Sequence, residues 1–249
     1  MNISMNELKT GLYRCFEASG YFVGNYEDAA NMILWLEKHG LSGLRELKQA
    51  LGYIRSDRDK AMSVVVYEDS TSAIIDSNGR SALNCIAASV DLAHGKALEA
   101  GISTITVHNC HNRMFILKAL TDCGRRGISV AAYWQNGSTT VTEHTAAIKA
   151  GARYPSYSES TTDMSSNDAG DKQSITIICS SRVDFTTSLQ YSSGNHNSRY
   201  ISAEQVAVNK EYTVDHGIEI DSELWAEIKR IGADVLVESS ARSRQGAGD

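Results

Sequence analysis

Proline is almost absent from this 249-residue sequence, which contains a single one at position 155. Gly, Asn, Asp and Ser must therefore form nearly every turn. Lysine and arginine form no long run, and together they number 24 against 30 acidic residues. The formal net charge of −6 argues against a protein that binds nucleic acid or an anionic membrane surface, because both need basic patches.

Long apolar stretches are also missing. The run from Met32 to Leu36 is far shorter than the roughly 18 residues that a membrane span needs. Residues 1–7 have neither the basic nor the apolar region of a signal peptide. Cysteine pairs of the CxxC type are absent, and five scattered cysteines are typical of free thiols in a reducing compartment rather than of a disulfide framework or a zinc site. We therefore expect a cytoplasmic globular protein.

Several catalytic and nucleotide-binding motifs do not occur. The sequence contains no GxGxxG and no GxxxxGKS, so neither a Rossmann dinucleotide site nor a P-loop is predicted from a motif. It also contains no GxSxG and no HExxH, and we predict no metal site. Fold and function must be inferred from other patterns.

Short amphipathic helices are predicted for the first 55 residues. Ser4 and Glu7 have the spacing of a capping box, and apolar residues follow at helical spacing until Gly20. A second helix is predicted at 25–39, and a third follows Gly43 with leucines on one face. Because the connections are short, we expect the three helices to pack as one layer.

The middle of the chain alternates between strand and helix patterns. Apolar β-branched runs predict strands, and Gly101 and Gly124 are expected to end two helices. The predicted order is strands at 63–67 and 73–76, a helix at 81–101, a strand at 102–107, a helix at 114–120 and a strand at 128–133. Such alternation indicates an α/β protein with a parallel sheet.

The pattern is weaker after residue 138. We expect a strand followed by a helix within 139–151, a strand at 175–179 that 184–191 can join, and a last helix capped by Asp221. The stretch 156–171 is rich in Ser, Thr and Asp and is predicted to be a loop. The predicted organisation is one compact domain with a helical segment at 1–55, an α/β core at 56–138, a β-rich segment at 139–210, and a C-terminal helix and tail at 211–249.

Polar residues follow three of the predicted strands, at 76–81, 108–113 and 133–137. In a parallel α/β sheet these exits lie at one edge, where ligands bind. The second loop has the densest set of acid–base and hydrogen-bonding groups. A helix N-terminus beside it, together with Arg113 and Arg80, is suited to a carboxylate or phosphate.

His111 is the first candidate for general acid–base catalysis, because imidazole exchanges a proton near neutral pH. The alternative is a histidine that merely caps a helix. His108 lies earlier on the strand and is the second candidate. Cys110, between them, is a nucleophile or a metal ligand in one interpretation and a packed thiol in the other.

The motifs resemble the type-2 malate/L-lactate dehydrogenase family, which includes ureidoglycolate and sulfolactate dehydrogenases. The resemblance lies in the segments 40–45, 75–79, 97–111 and 216–225. It implies an α/β fold with an N-terminal helical layer and a mixed sheet with a βαβαβ core, distinct from the Rossmann fold. It further implies a homodimer that uses NAD(P) to interconvert 2-hydroxy and 2-oxo acids. The family's Asn-Ser-x-His turn aligns so that Asn112 is a further candidate for its catalytic position.

The sequence also resembles an uncharacterised bacterial family of unknown function. Three motifs support this, namely the start Ser4-Met5-Asn6-Glu7, the turn at 35–43 and the ending Ser243-Arg244-Gln245-Gly246-Ala247-Gly248-Asp249. The tail is either a solvated terminus or a lid in which Ser243 and Arg244 bind an anion.

We therefore expect a small-molecule enzyme that acts on a small carboxylate by histidine acid–base chemistry, on a dehydrogenase-like scaffold with a reduced cofactor region. The alternatives are an NAD(P)-dependent oxidoreductase and a non-catalytic binding protein or subunit. The predicted catalytic residues are His111, His108 and Asn112. The predicted substrate-binding residues are Arg113, Asn78, Arg80, Arg45, Arg244 and Ser243.

Overall fold

A computed structural model describes residues 1–137, 140–163, 173–189, 198–216 and 218–233. Within these ranges the chain forms seven α-helices. They are α1 (Met5–Ala18), α2 (Val23–Lys38), α3 (Gly43–Asp57), α4 (Ala82–Ala100), α5 (Ile116–Arg125), α6 (Ala203–His216) and α7 (Ser222–Gly232). None of the helices in the described ranges is long and apolar enough to cross a membrane.

The strands of the described residues form one large mixed sheet and one small pair. They are β1 (Asn2–Ile3), β2 (Val64–Glu68), β3 (Ser72–Asp76), β4 (Ile102–His108), β5 (Ser129–Asn136), β6 (Thr140–Ile148), β7 (Ser156–Asp163), β8 (Ile175–Ser180), β9 (Ser198–Ile201) and β10 (Ile218–Glu219). The large sheet has the order β2-β3-β4-β8-β5-β6-β7-β9, and β1 pairs with β10.

The predicted βαβαβ core and mixed sheet are confirmed. Strand β3 is parallel to β4, and the exits of both strands lie side by side, since Asp76 is opposite His108. Strand β8 is antiparallel to both β4 and β5, so β3, β4 and β5 run in the same direction. Strand β8 enters from later in the chain and lies between β4 and β5, so these two strands are parallel but not adjacent.

Helices cover the sheet in layers. Helices α4 and α5 pack on the strands, α2 packs on both of them, and α1 and α3 pack on α2. The predicted capping box at Ser4 and the Asp221 cap of the last helix are both present. The N-terminal helical layer is therefore confirmed, and apolar faces with the spacing of a helix are buried within it.

Gly124 does not end its helix as predicted, because α5 continues to Arg125. A Cβ atom at this position would lie 2.8–2.9 Å from side-chain carbons of Ile148 on β6. The glycine therefore allows close packing of helix on sheet. The left-handed turn follows at Gly127, which has φ +88°.

The region after residue 138 differs most from the prediction. Residues 156–163 form β7 rather than a loop, and 164–171 lie outside the described residues. No helix follows the strand predicted within 139–151, since β6 extends to Ile148. Residues 186–189 form a 3₁₀ turn rather than a strand. Helix α6 was not predicted. Strand β7 is rich in Ser and Thr, but it pairs with β6 on one side and β9 on the other. These pairings stabilise a strand that its polar composition does not predict.

Candidate functional site

The three segments predicted to be loops meet at one edge of the sheet, but the third is mostly strand, since β5 runs to Asn136; residues 133–137 are still called the third loop below. The amide of Gly79 donates to the carbonyl oxygen of Asn109 at 2.9 Å, which joins the first loop to the second. The Arg113 guanidinium donates to the carbonyl oxygen of Gln135 at 2.9 Å and to the Asn136 side chain, which joins the second loop to the third. The prediction that these exits lie together is confirmed.

The N-terminus of α4 is occupied by a carboxylate of the protein. The buried Asp57 accepts a hydrogen bond from the amide of Ser81 at 3.0 Å, and further ones from the Tyr21 hydroxyl at 3.1 Å and the Lys60 ammonium at 3.3 Å. Negative charge is favoured at this end of a helix. Asp57 thus takes the place that an anionic ligand would need.

The other polar residues of the first two loops bind mainly to the backbone. Arg80 is buried and donates to the carbonyl oxygens of residues 60 and 61 at 2.6 and 2.7 Å. Asn78 donates to the carbonyl oxygen of Met62 at 2.7 Å. Arg113 is 8% exposed, its Nη2 contacts the third loop, and its Nη1 donates to the carbonyl oxygen of Ser174 at 3.4 Å. The substrate-binding role of these three residues stays a prediction.

His111 is half-buried and stacks on the Tyr53 ring, with centroids 4.3 Å apart. Burial lowers its pKa, and the nearby Lys60 and Arg113 lower it further. Its backbone forms an isolated bridge with Ser81.

His108 is the last residue of β4, opposite Asp76. Asn112 has a left-handed φ of 57° and a buried Oδ1 for which the structure shows no hydrogen-bond donor. Neither these two residues nor His111 is among those that line the polar pocket described next.

A polar pocket of about 160 Å³ lies beside the third loop. Of the predicted binding residues, Arg45 lines this pocket, with a side chain that is 64% exposed and 3.6 Å from Glu46. Ser243 and Arg244 lie outside the described residues. The pocket is lined by Leu41, Ser42, Arg45, Glu46, Gln49, Met114, Asn136, His144, Tyr157, Glu159, Arg199 and Ile201.

Four adjacent strands place one row of side chains along the floor of the pocket. Trp134 on β5 is opposite His144 on β6, His144 is opposite Glu159 on β7, and Glu159 is opposite Arg199 on β9. Directly opposite residues share one face of a sheet. Tyr157 lies two residues before Glu159 and therefore shares that face.

The hydrogen bonds in this row run in one direction. The Asn136 side-chain oxygen accepts from Arg113, so its amide nitrogen donates to His144 Nε2 at 3.0 Å. Nε2 then holds the lone pair, and Nδ1 donates to the Tyr157 hydroxyl oxygen at 2.8 Å. The hydroxyl in turn donates to Glu159 at 2.7 Å. This pattern assigns the imidazole tautomer.

Burial sets the protonation of the row. It lowers the pKa of His144 to about 4, against the raising effect of Glu159. Burial, with Glu159, raises the pKa of the Tyr157 hydroxyl far above its ordinary value. At neutral pH the row thus contains a neutral imidazole and a protonated phenol. The Glu159 carboxylate lies at its end, 3.7 Å from Arg199.

Sequence reasoning missed this row. His144 was not singled out, and Tyr157 and Glu159 lie in the stretch predicted to be a loop. The available signal was the alternation Ser156-Tyr157-Ser158-Glu159, which has the two-residue period of a strand. Within the described residues, no group of three or more His, Cys, Asp or Glu side chains is arranged to hold a metal ion.

One family model matches the N-terminal third of the chain. The model of a family described as "Protein of unknown function (DUF3726)" matches residues 3–89. This range contains two of the three motifs noted above. A search of curated protein sequences finds no match.

Solved structures match nearly the whole chain. Malate dehydrogenase from Entamoeba histolytica has a TM-score of 0.65 at 12% identity, covering 94% of this chain and 97% of its own. Sulfolactate dehydrogenase from Methanocaldococcus jannaschii has a TM-score of 0.64 at 11% identity, with the same coverages. The chain has a malate dehydrogenase-like fold. The Δ1-piperideine-2-carboxylate reductase from Pseudomonas syringae pv. tomato has a TM-score of 0.61 at 12% identity, covering 93% of this chain and 99% of its own. The distant similarity predicted from the motifs is therefore confirmed.

Proposed function

We propose that the protein is an enzyme that binds a small carboxylate in the polar pocket and transfers a proton there. The single observation behind this proposal is the one-way hydrogen-bond row that ends at Glu159, which lines the pocket beside Arg199. The neutral imidazole of His144 holds the Tyr157 phenol so that its O–H donates to Glu159, and a carboxylate positioned in this way can act as a general base.

The charges of the pocket favour an anionic ligand at its rim. Arg45 and Arg199 are half-exposed, with side chains that are 64% and 52% exposed, and a guanidinium can hold a carboxylate by two parallel hydrogen bonds. Each lies only loosely against a glutamate of the protein, at 3.6 and 3.7 Å. A ligand carboxylate can therefore compete for both. The volume of about 160 Å³ favours a molecule of a few carbon atoms.

The proton-transfer step follows from the assigned tautomer. In this proposal, Glu159 accepts a proton from a C–H bond of the ligand, at C2 of a 2-hydroxy acid or at C3 of a 2-oxo acid, and returns a proton to the same carbon. The Tyr157 hydroxyl keeps its hydrogen bond to Glu159, and His144 holds the phenol in that orientation. His111 stays the alternative acid–base group, since its lowered pKa leaves the imidazole neutral and able to accept a proton at neutral pH.

The test is deuterium exchange. The full chain is incubated in D₂O with 2-hydroxy and 2-oxo acids of two to five carbons, and loss of the C–H signals is followed by NMR. We expect exchange in at least one acid, loss of exchange in Glu159→Gln and little change in His111→Ala. Exchange that persists in Glu159→Gln but is lost in His111→Ala would mean that His111, in the second loop, is the acid–base group. No exchange and no thermal shift with any acid would favour a non-catalytic subunit.

NAD(P) belongs to the alternative function, an oxidoreductase of 2-oxo or 2-hydroxy acids. The N-terminus of α4, where a pyrophosphate would bind in many α/β folds, does not fit this group because Asp57 already accepts from the Ser81 amide. We therefore assign no step to NAD(P). Fluorescence titration with NADPH and NADH tests this alternative directly, and saturable binding would support it.

The proposal includes a homodimer, as the family resemblance implies. Size-exclusion chromatography with light scattering measures the mass of the particle. A particle of twice the 27.1 kDa chain mass is expected, and a particle of single-chain mass at micromolar concentration would contradict it.

A further inference from the structure

Four of the five cysteines lie in two close pairs. Cys85 on α4 and Cys110 in the second loop have sulfur atoms 3.9 Å apart. Cys123 on α5 and Cys179 on β8 have sulfur atoms 4.0 Å apart. All are free thiols. A disulfide requires the sulfur atoms to approach to about 2.05 Å, so each pair is roughly 2 Å from bonding distance.

The two pairs differ in their access to solvent. Cys85 is 7% exposed and lines a groove of about 300 Å³ between β2 and α4, together with Met62, Val64 and Asn84. Cys110 lies behind it and is 0% exposed. Cys123 and Cys179 are both 0% exposed and are not among the residues that line this groove.

Cys85 also has the surroundings of a reactive thiol. It is the fourth residue of α4, whose first residue is Ala82, and helix N-termini stabilise a thiolate. The hydrogen bond from Cys110 lowers the pKa of the Cys85 thiol. The same contact, with burial, raises the pKa of the Cys110 thiol. The pKa values of Cys123 and Cys179 shift in the same two directions, so the position of Cys85 in the groove, rather than its pKa, makes it the sulfur of this pair that a solute reaches first.

We propose that Cys85 and Cys110 form a peroxide-responsive thiol–disulfide pair. The Cys85 thiolate attacks the peroxide, the O–O bond breaks, Cys85 becomes a sulfenic acid, and one water leaves after protonation. The Cys110 sulfur then attacks the Cys85 sulfur, the S–O bond breaks, and a second water leaves with the thiol proton. The two thiols are oxidised by two electrons, and one peroxide is reduced to two waters.

The disulfide would act on the second loop. Cys110 lies between Asn109 and Asn112, which have left-handed φ values of 51° and 57°, and directly before His111. Closing the gap by roughly 2 Å ties the first turn of α4 to this loop. Oxidation therefore changes the position of the His108–Arg113 segment, through which Arg113 contacts the third loop.

The test uses the folded full chain and hydrogen peroxide. Free thiols are blocked at intervals with N-ethylmaleimide, and digested peptides are identified by mass spectrometry. We expect a Cys85–Cys110 disulfide that forms at least about tenfold faster than any Cys123–Cys179 disulfide, because the buried pair lacks access. Dithiothreitol should reverse it.

Single substitutions separate the two roles. In Cys110→Ser, dimedone should trap a sulfenic acid at Cys85. In Cys85→Ser, Cys110 should stay reduced at the same peroxide concentration. Cys123→Ser is the matched control and should leave the Cys85–Cys110 disulfide unchanged. The proposal is overturned if Cys85 stays reduced in the folded wild-type chain, or if both pairs oxidise at the same rate.

Discussion

Removing the hydroxyl of Tyr157 tests the hydrogen-bond row of the pocket most directly. In Tyr157→Phe, Glu159 loses a donor at 2.7 Å and His144 Nδ1 loses its acceptor at 2.8 Å. A hydrogen bond to a charged group contributes about 1.5–3 kcal/mol, and an unsatisfied buried N–H costs about 1–3 kcal/mol. Because Glu159 is 30% exposed and water replaces part of the loss, we expect a decrease in unfolding free energy of about 2–4 kcal/mol.

The matched control is Tyr133→Phe on β5, which is separated from β7 by β6. Its hydroxyl also donates to a glutamate, Glu143, at 2.9 Å, but Tyr133 is 41% exposed whereas Tyr157 is 3% exposed. Each hydroxyl donates to a glutamate and also accepts a hydrogen bond, Tyr133 from Gln135 and Tyr157 from His144, and the two tyrosines differ strongly in burial. Removing the exposed bond should cost no more than about 0.5 kcal/mol.

Urea unfolding followed by circular dichroism measures both variants. The midpoint should shift for Tyr157→Phe with the slope m unchanged, and the melting temperature should fall by roughly 5–15 °C for a chain of this size. Equal losses in the two variants, or a loss in Tyr157→Phe within about 0.5 kcal/mol of zero, would refute the burial and hydrogen-bonding argument for the row.

Three further predictions concern stability. Burial lowers the pKa of His144 from 6.5 to about 4, so between these pH values the unfolded chain takes up this proton and the folded chain does not. The unfolding free energy should therefore decrease by up to about 3 kcal/mol as the pH is lowered from 6.5 to 4. His144→Gln should flatten this part of the pH curve, measured by urea unfolding at stepped pH. Asp57→Ala should cost about 3–5 kcal/mol in urea, because it leaves buried donors and a lysine without their acceptor. Gly124→Ala should lose about 1–3 kcal/mol by overpacking against Ile148, whereas Gly95→Ala, which meets open space on α4, should gain about 0.5–1 kcal/mol in thermal melts.

The outcomes that contradict these predictions are specific. A pH profile identical in wild type and His144→Gln would mean that the imidazole is not held neutral by burial. A decrease in unfolding free energy below about 1 kcal/mol in Asp57→Ala would mean that water replaces Asp57 as the hydrogen-bond acceptor at the α4 N-terminus. A neutral Gly124→Ala would mean that α5 can move away from β6 without cost.

The pattern of apolar residues along the chain predicted most of the N-terminal half. Ser4, Gly101 and Asp221 mark helix ends by local chemistry, that is, by side-chain capping and by left-handed backbone geometry. Such signals act over a few residues and can therefore be recognised in the sequence. The edge at which the three loops meet also followed from strand direction alone.

The candidate pocket depended on contacts between distant parts of the chain. His144, Glu159 and Arg199 became neighbours only because β6, β7 and β9 pair in one register. The position of β8 between β4 and β5 was likewise set by pairing with strands from much earlier in the sequence. Local composition does not contain this information, since pairing partners are selected by the whole sheet.

The sequence by itself thus determined the helical layer, the βαβαβ core and the resemblance to dehydrogenases, because caps, glycines and apolar periodicity act locally. Only the tertiary structure decided that Asp57 takes the α4 N-terminus and that His144 stays neutral behind Tyr157. Burial and cross-strand register, which set the charge and direction of those groups, exist only once the sheet has assembled.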